Sequence, residues 1–115
     1  MYIPSEKQTT DTRINMRGGE GQVVFVNLAS QEELPAKSRF IAKGLLEPGC
    51  SIGFHIHDGE SEVYYILSGN PTIDDNGTCL NAKPGDTVIT YSGNGHAMKN
   101  DTDQPVTFIA TIILD

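Results

Sequence analysis

The chain contains three histidines, His55, His57 and His96. Two of them stand two positions apart, and in a strand residues i and i+2 project from one face. His55 and His57 can therefore address one point in space while Ile56 points the other way. Glu62 opens the next apolar run, five residues on. Three imidazoles and one carboxylate make a mixed nitrogen and oxygen donor set. It suits one divalent transition metal, with Mn, Fe, Co, Ni, Zn and Cu all compatible. On an octahedral ion four protein ligands leave two positions open, for water, dioxygen or a bidentate substrate. The ion could polarise a carbonyl or enolate, or activate oxygen. His96 alone carries little weight, because an isolated histidine is more often a core or surface residue than a ligand.

These residues can meet only if strands carry them. Runs rich in β-branched and aromatic side chains, bounded by Gly, Pro, Asn and Asp, predict strands at 22–28, 39–46, 51–57, 62–68, 86–91, 96–100 and 105–114. Asp74-Asp75-Asn76-Gly77 carries the Asn-Gly signal of a tight hairpin. Ser30 with Glu33 fits a capping box, but Pro35 limits that helix to one turn. The first twenty residues are polar and aperiodic, and Arg17–Gly21 reads as a turn or flexible lead-in. A hairpin across Asp58–Ser61 is expected to bring Glu62 beside the histidine pair, with Glu60 in its exposed turn. Many short strands with almost no helix predict an all-β sandwich or closed barrel. The length of 115 residues predicts a single domain over 1–115.

Gly49, His55, His57, Glu62 and Gly69 satisfy the pattern G-x5-H-x-H-x4-E-x6-G. Gly85, Gly93, His96 and Asn100 satisfy G-x5-P-x-G-x2-H-x3-N, with Tyr91 in place of its proline. In these residues, over 49–69 and 85–100, the chain resembles the cupin superfamily, as a small single-domain member. The resemblance implies a double-stranded β-helix (jelly-roll) barrel, often dimeric. It also implies that His55, His57, Glu62 and His96 are the metal ligands. Tyr91 falls in a turn, so its departure bears on loop shape and not on the ligand set.

The formal net charge is −7. That balance disfavours nucleic acid, whose phosphates must be met by Lys and Arg. It also disfavours anionic membranes. A small anionic substrate stays compatible, because a buried ion supplies local positive charge. No apolar run approaches the roughly 20 residues of a membrane span. The N-terminus lacks signal-peptide features, so a cytoplasmic location is expected. Cys50 and Cys79 are then expected to be free thiols.

For this ligand set the resemblance implies a metal-dependent enzyme on a small oxygen-rich molecule, dioxygenase-like or sugar isomerase-like. The alternative is a non-catalytic binding or sensing module. Candidate catalytic side chains are Tyr64, Tyr91 and Arg39. Strand parity places Tyr64, Ile66 and Met98 near the opening, which predicts a partly apolar pocket. A homodimer of twice the 12.5 kDa chain is expected.

Overall fold

Apolar residues at every second position decide how the chain layers. In the last strand Val106, Phe108, Ala110 and Ile112 are buried, while Thr107, Ile109 and Thr111 alternate with them on the outer face. The computed structural model describes residues 1–115. It has ten strands: β1 Thr9–Ile14, β2 Gln22–Asn27, β3 Ser38–Leu46, β4 Ser51–Ile56, β5 Glu60–Ser68, β6 Thr72–Asp75, β7 Thr78–Asn81, β8 Thr87–Thr90, β9 Gly95–Lys99 and β10 Val106–Leu114. They form two facing antiparallel sheets, ordered β1-β2-β3-β10-β5-β8 and β4-β9-β6-β7. This is the jelly-roll arrangement expected from the sequence. Helix is confined to 3₁₀ turns at Ser5–Lys7 and Met16–Gly18.

The core fills the space between the sheets. Phe25 packs edge-on against Phe40 and Phe108, with centroids 5.1 and 6.1 Å apart. Tyr64 meets Phe108 in the same manner at 5.1 Å. The Asn-Gly signal becomes the β6–β7 hairpin, whose two turn residues both have positive φ, 50° at Asn76 and 98° at Gly77. The Ser30 amide donates to the Glu33 carboxylate at 2.8 Å, half of the capping box, while the Glu33 amide donates to the Ser30 backbone carbonyl, and the segment makes a turn and no helix.

The structure corrects two expectations. Residues 9–14 are not aperiodic coil but the edge strand β1, paired along its length with β2. Its inward positions hold Asp11 and Arg13, not apolar residues, so no alternation betrays it. Glu62 does not reach the histidines across a hairpin. The turn at Asp58–Gly59 carries the chain from one sheet to the other: β4 pairs with β9, and β5 with β10 and β8. Glu62 therefore faces the histidines across the core.

Asn100 fixes the end of β9. It is fully buried. Its Nδ2 donates to the Leu46 carbonyl at 2.9 Å and the Gln104 carbonyl at 2.7 Å. Its Oδ1 accepts from the Thr102 amide at 3.0 Å and from the Thr102 hydroxyl. The side chain thus shapes the 101–104 loop and ties it to β3. Replacing Asn100 by Ala strands several buried polar groups at once. Urea unfolding of Asn100→Ala should show a loss on the order of 3 kcal/mol. A loss below about 1 kcal/mol would mean that water satisfies those groups and the pin is dispensable.

Candidate metal centre

Three elements deliver the four donors. In the β4–β9 ladder His55 lies directly opposite His96. The register slips between Ile52 and His55, and this irregularity turns the end of β4 towards the core. His57 follows just past β4, and its amide donates to the Asn94 carbonyl at 3.0 Å. Glu62 comes from β5 in the opposing sheet. All four side chains are buried, and their ligand atoms lie within 4.8 Å of one another.

The outer nitrogens of the rings are all engaged. His55 Nδ1–H donates to the Gly53 carbonyl at 2.8 Å. His57 Nδ1–H donates to Glu60 Oε2 at 2.6 Å. His96 Nδ1 is bonded to the Thr90 hydroxyl at 2.8 Å. Gly53 and Glu60 offer only acceptors, so His55 and His57 carry a proton on Nδ1 and can present Nε2 as a lone pair, and the Thr90 hydroxyl can accept from His96 Nδ1 in the same way. Those lone pairs converge. His96 Nε2 lies 3.1 Å from both His55 Nε2 and His57 Nε2. Glu62 Oε1 lies 3.1 Å from His57 Nε2 and 3.0 Å from His96 Nε2. Lone pairs facing lone pairs form no hydrogen bond, and a cation among them removes the conflict. Neighbouring octahedral positions with bonds of about 2.1 Å stand about 3.0 Å apart, against about 3.4 Å for tetrahedral ones. The donor set therefore fits a divalent ion with further positions to fill.

Without an ion, a proton on Nε2 of His57 or His96 can take its place beside Glu62, and the titration directions describe that metal-free cluster. Burial depresses the His55 imidazole, despite its bond to Gly53. Hydrogen bonding to Glu62 raises His57, against the cost of burial. Burial works to raise the Glu62 carboxyl, yet hydrogen bonds and charge from His57 and His96 outweigh it and bring it to about 2. Tyr64 stacks flat on His96, with centroids 4.7 Å apart and planes 8° apart. Burial, with the Glu62 charge beside it, holds its phenol well above the usual range, so it stays a neutral donor.

A cavity of about 270 Å³ opens onto this cluster. Tyr64 lines it, together with His55, His57 and Glu62. Ile66 and Met98 do not. They are buried two positions further along their strands, at the opposite end of the core. Their places are taken by Phe25, Phe40, Met16, Ile112 and three arginines, Arg13, Arg17 and Arg39. Strand parity identifies a face but not a depth, and it is silent about β1–β3. Tyr91 is 61% exposed on the turn after β8 and lies outside this cavity. Arg39 does face it. β10 pairs Ile112 with Phe40 and Ile113 with Ser38, leaving Arg39 unpaired in a bulge that re-aims its side chain.

Glu60 is the residue the sequence undervalues. It begins β5 instead of lying in an exposed turn, and its side chain is 14% exposed. It accepts from His57 and from both Nε and Nη2 of Arg39, the latter pair at 2.8 Å each. Arg39 holds its carboxyl below the ordinary value, with burial opposing and His57 assisting. A carboxylate behind a ligand histidine fixes that ring and raises its basicity. Its position three residues after His57 was the available signal.

Comparison with known proteins adds the following. A family model described as "Cupin domain" matches residues 43–112. A Thermotoga maritima protein named oxalate-binding protein is 41% identical over 114 residues, covering 99% of this chain and 94% of that protein. The crystal structure of a predicted oxalate decarboxylase from Thermotoga maritima superposes with a TM-score of 0.93 at 41% identity, covering 100% of both chains. A sugar phosphate isomerase structure from Silicibacter pomeroyi gives a TM-score of 0.71 at 25% identity, covering 81% of this chain and 60% of that one.

The charge pair at the centre has a pH signature in metal-free protein. The Glu62 value lies below its ordinary 4.5, so its contribution is complete above 4.5 and lost as pH falls towards about 2. The His57 value lies above its ordinary 6.5, so its contribution is complete below 6.5 and lost as pH rises through the raised value. Thermal melts of chelator-treated protein should show this component largest between 4.5 and 6.5. Glu62→Gln should flatten it. A metal-free parent profile indistinguishable from that of Glu62→Gln would contradict the assignment.

Proposed function

This chain belongs to the cupin domain family, and from that premise we propose that it holds one divalent transition metal and takes a small carboxylate of the oxalate class onto it. The observation that carries this reading is the convergence of three imidazole lone pairs and the Glu62 oxygen at the floor of the cavity. His55, His57, Glu62 and His96 would hold the ion. When bound, the ion supplies a Lewis acid that polarises an oxygen of the ligand. The chain does the rest. Gly53 and Glu60 keep His55 and His57 in the tautomer that presents Nε2, and the Thr90 hydroxyl holds the His96 ring through Nδ1. Phe25, Phe40 and Ile112 exclude water from one wall, and the arginines favour an anion at the mouth. The names of the Thermotoga maritima relatives support an oxalate-class ligand.

Among the groups lining the cavity, none is an uncommitted carboxylate. Glu62 belongs to the donor set, and Glu60 behind it is bound to His57 and Arg39. This favours capture of the ligand over turnover. A second reading, catalysis on the bound molecule, draws support from the coordination positions that four ligands leave open and from Tyr64 as a neutral donor beside them. Its signature is product formation, decarboxylation, isomerisation or oxygen uptake, that stops on chelation.

The expected homodimer has a candidate surface. Across β3, β10, β5 and β8 the outward positions carry Leu45, Ile109, Val63, Tyr65, Leu67 and Ile89, with Lys43 their one formal charge. In a chain of net charge −7, this face lets two copies meet without burying carboxylates. Light scattering should give twice 12.5 kDa for the parent and a lower mass for Tyr65→Glu. A parent that is only monomeric at micromolar concentration would overturn the dimer.

Ligand binding is tested by calorimetry with oxalate before and after metal removal. Metal-loaded protein should bind oxalate, and chelated protein should lose most of that affinity. Equal affinity in both forms would remove the metal from the reading.

A further inference from the structure

Three arginines line the cavity, but they are not equivalent. Arg13 donates to Asp11 at 2.8 Å and lies over the rings of Phe25 and Phe40, 5.0 and 5.3 Å from their centroids. Arg39 is paired with Glu60 through two bonds. Arg17 also lines the cavity, is exposed, and has no carboxylate within 4.0 Å.

The backbone around Arg17 is specifically built. Arg17 sits in the left-handed region at φ 55°, and so does Asn15 at φ 48°. Such conformations in non-glycine residues persist where the surroundings impose them. Here Asn15 Nδ2 donates to the Gly19 carbonyl at 3.0 Å, and the Asn15 amide donates to Gly21 at 2.8 Å. The 3₁₀ turn also presses on the ligand strand. A Cβ on Gly53 would lie 2.0 Å from the Arg17 carbonyl oxygen, and one on Gly19 would lie 2.1 Å from that of Ser51. Gly53 is the residue whose carbonyl orients His55. One glycine thus seats the segment that carries Arg17 and also aligns a metal ligand.

Charge then selects the ligand. Arg13 is matched by Asp11 and Arg39 by Glu60. A divalent ion over Glu62 leaves one positive charge, with the imidazoles neutral, and Arg17 supplies a second. We propose that Arg17 makes this site selective for small dianions, pairing with the charge that the metal-bound end of the ligand leaves unmet. The inference rests on the metal-dependent carboxylate reading above and deepens it. A monoanion of the same shape is satisfied by the metal and gains little from Arg17. A dianion gains from both.

The test is calorimetry on manganese-loaded parent and Arg17→Gln at fixed ionic strength. The probes are oxalate, a dianion, and oxamate, its monoanionic mono-amide with the same chelating geometry. Arg17→Gln should weaken oxalate about five-fold, as expected for one partly screened charge, and oxamate less than about two-fold. Metal content should stay at the parent's value, and Arg17→Lys should restore most of the oxalate affinity. Equal weakening of both probes, or no change in either, overturns the role of Arg17. If the loaded parent binds neither probe, the carboxylate reading itself falls, and this inference with it.

Discussion

Three imidazole nitrogens and a carboxylate oxygen held within 4.8 Å of one another, four of the pairs at 3.0–3.1 Å, need a cation or shared protons between them, and most of this fold serves to hold them there. The donors come from two sheets. β4 and β9 set His55 against His96 in register, and β5 brings Glu62 across from the opposing sheet. Each ring is held in orientation by a partner on its outer side. The Phe25, Phe40 and Phe108 cluster and the Asn100 pin fix the spacing between sheets and the end of β9. A fold that lost this spacing would lose the centre before it lost its strands.

The chain is acidic, yet the approach to its centre is lined with arginine. Net charge therefore says little about the local field. Two of the arginines are tied to carboxylates and help build the site, through Asp11 on β1 and Glu60 behind His57. The aromatic wall and the small volume favour a compact ligand with few atoms. On the reading proposed above, oxygen chelation on a metal and the arginine-lined approach together suit a short carboxylate.

Much of this was legible in the residues. Strand periodicity and the Asn76-Gly77 turn rest on local rules and give the all-β class, while the motif spacing, through the family resemblance, gives the jelly roll and the four side chains that cluster. The motif glycines at 49, 69, 85 and 93 all adopt positive φ, as turns demand. What escaped depends on non-local geometry. β1 hides because its inward side faces a polar cavity. Glu60 escaped because its role lies in the side chains it meets, His57 and Arg39. The walls were misjudged because parity gives the face of Ile66 and Met98 but not their depth. Arg39 was a candidate from sequence, but the bulge that turns it to the cavity follows no sequence rule.

The central claim is that His55, His57, Glu62 and His96 hold one ion together. Elemental analysis after stripping and reconstitution with a single divalent metal tests it directly, run on the parent and on His57→Ala with circular dichroism to verify the strands. One ion per parent chain is expected, with little metal in a still-folded His57→Ala. Equal stoichiometry in the two proteins, or a reconstituted parent that takes up none, would contradict it.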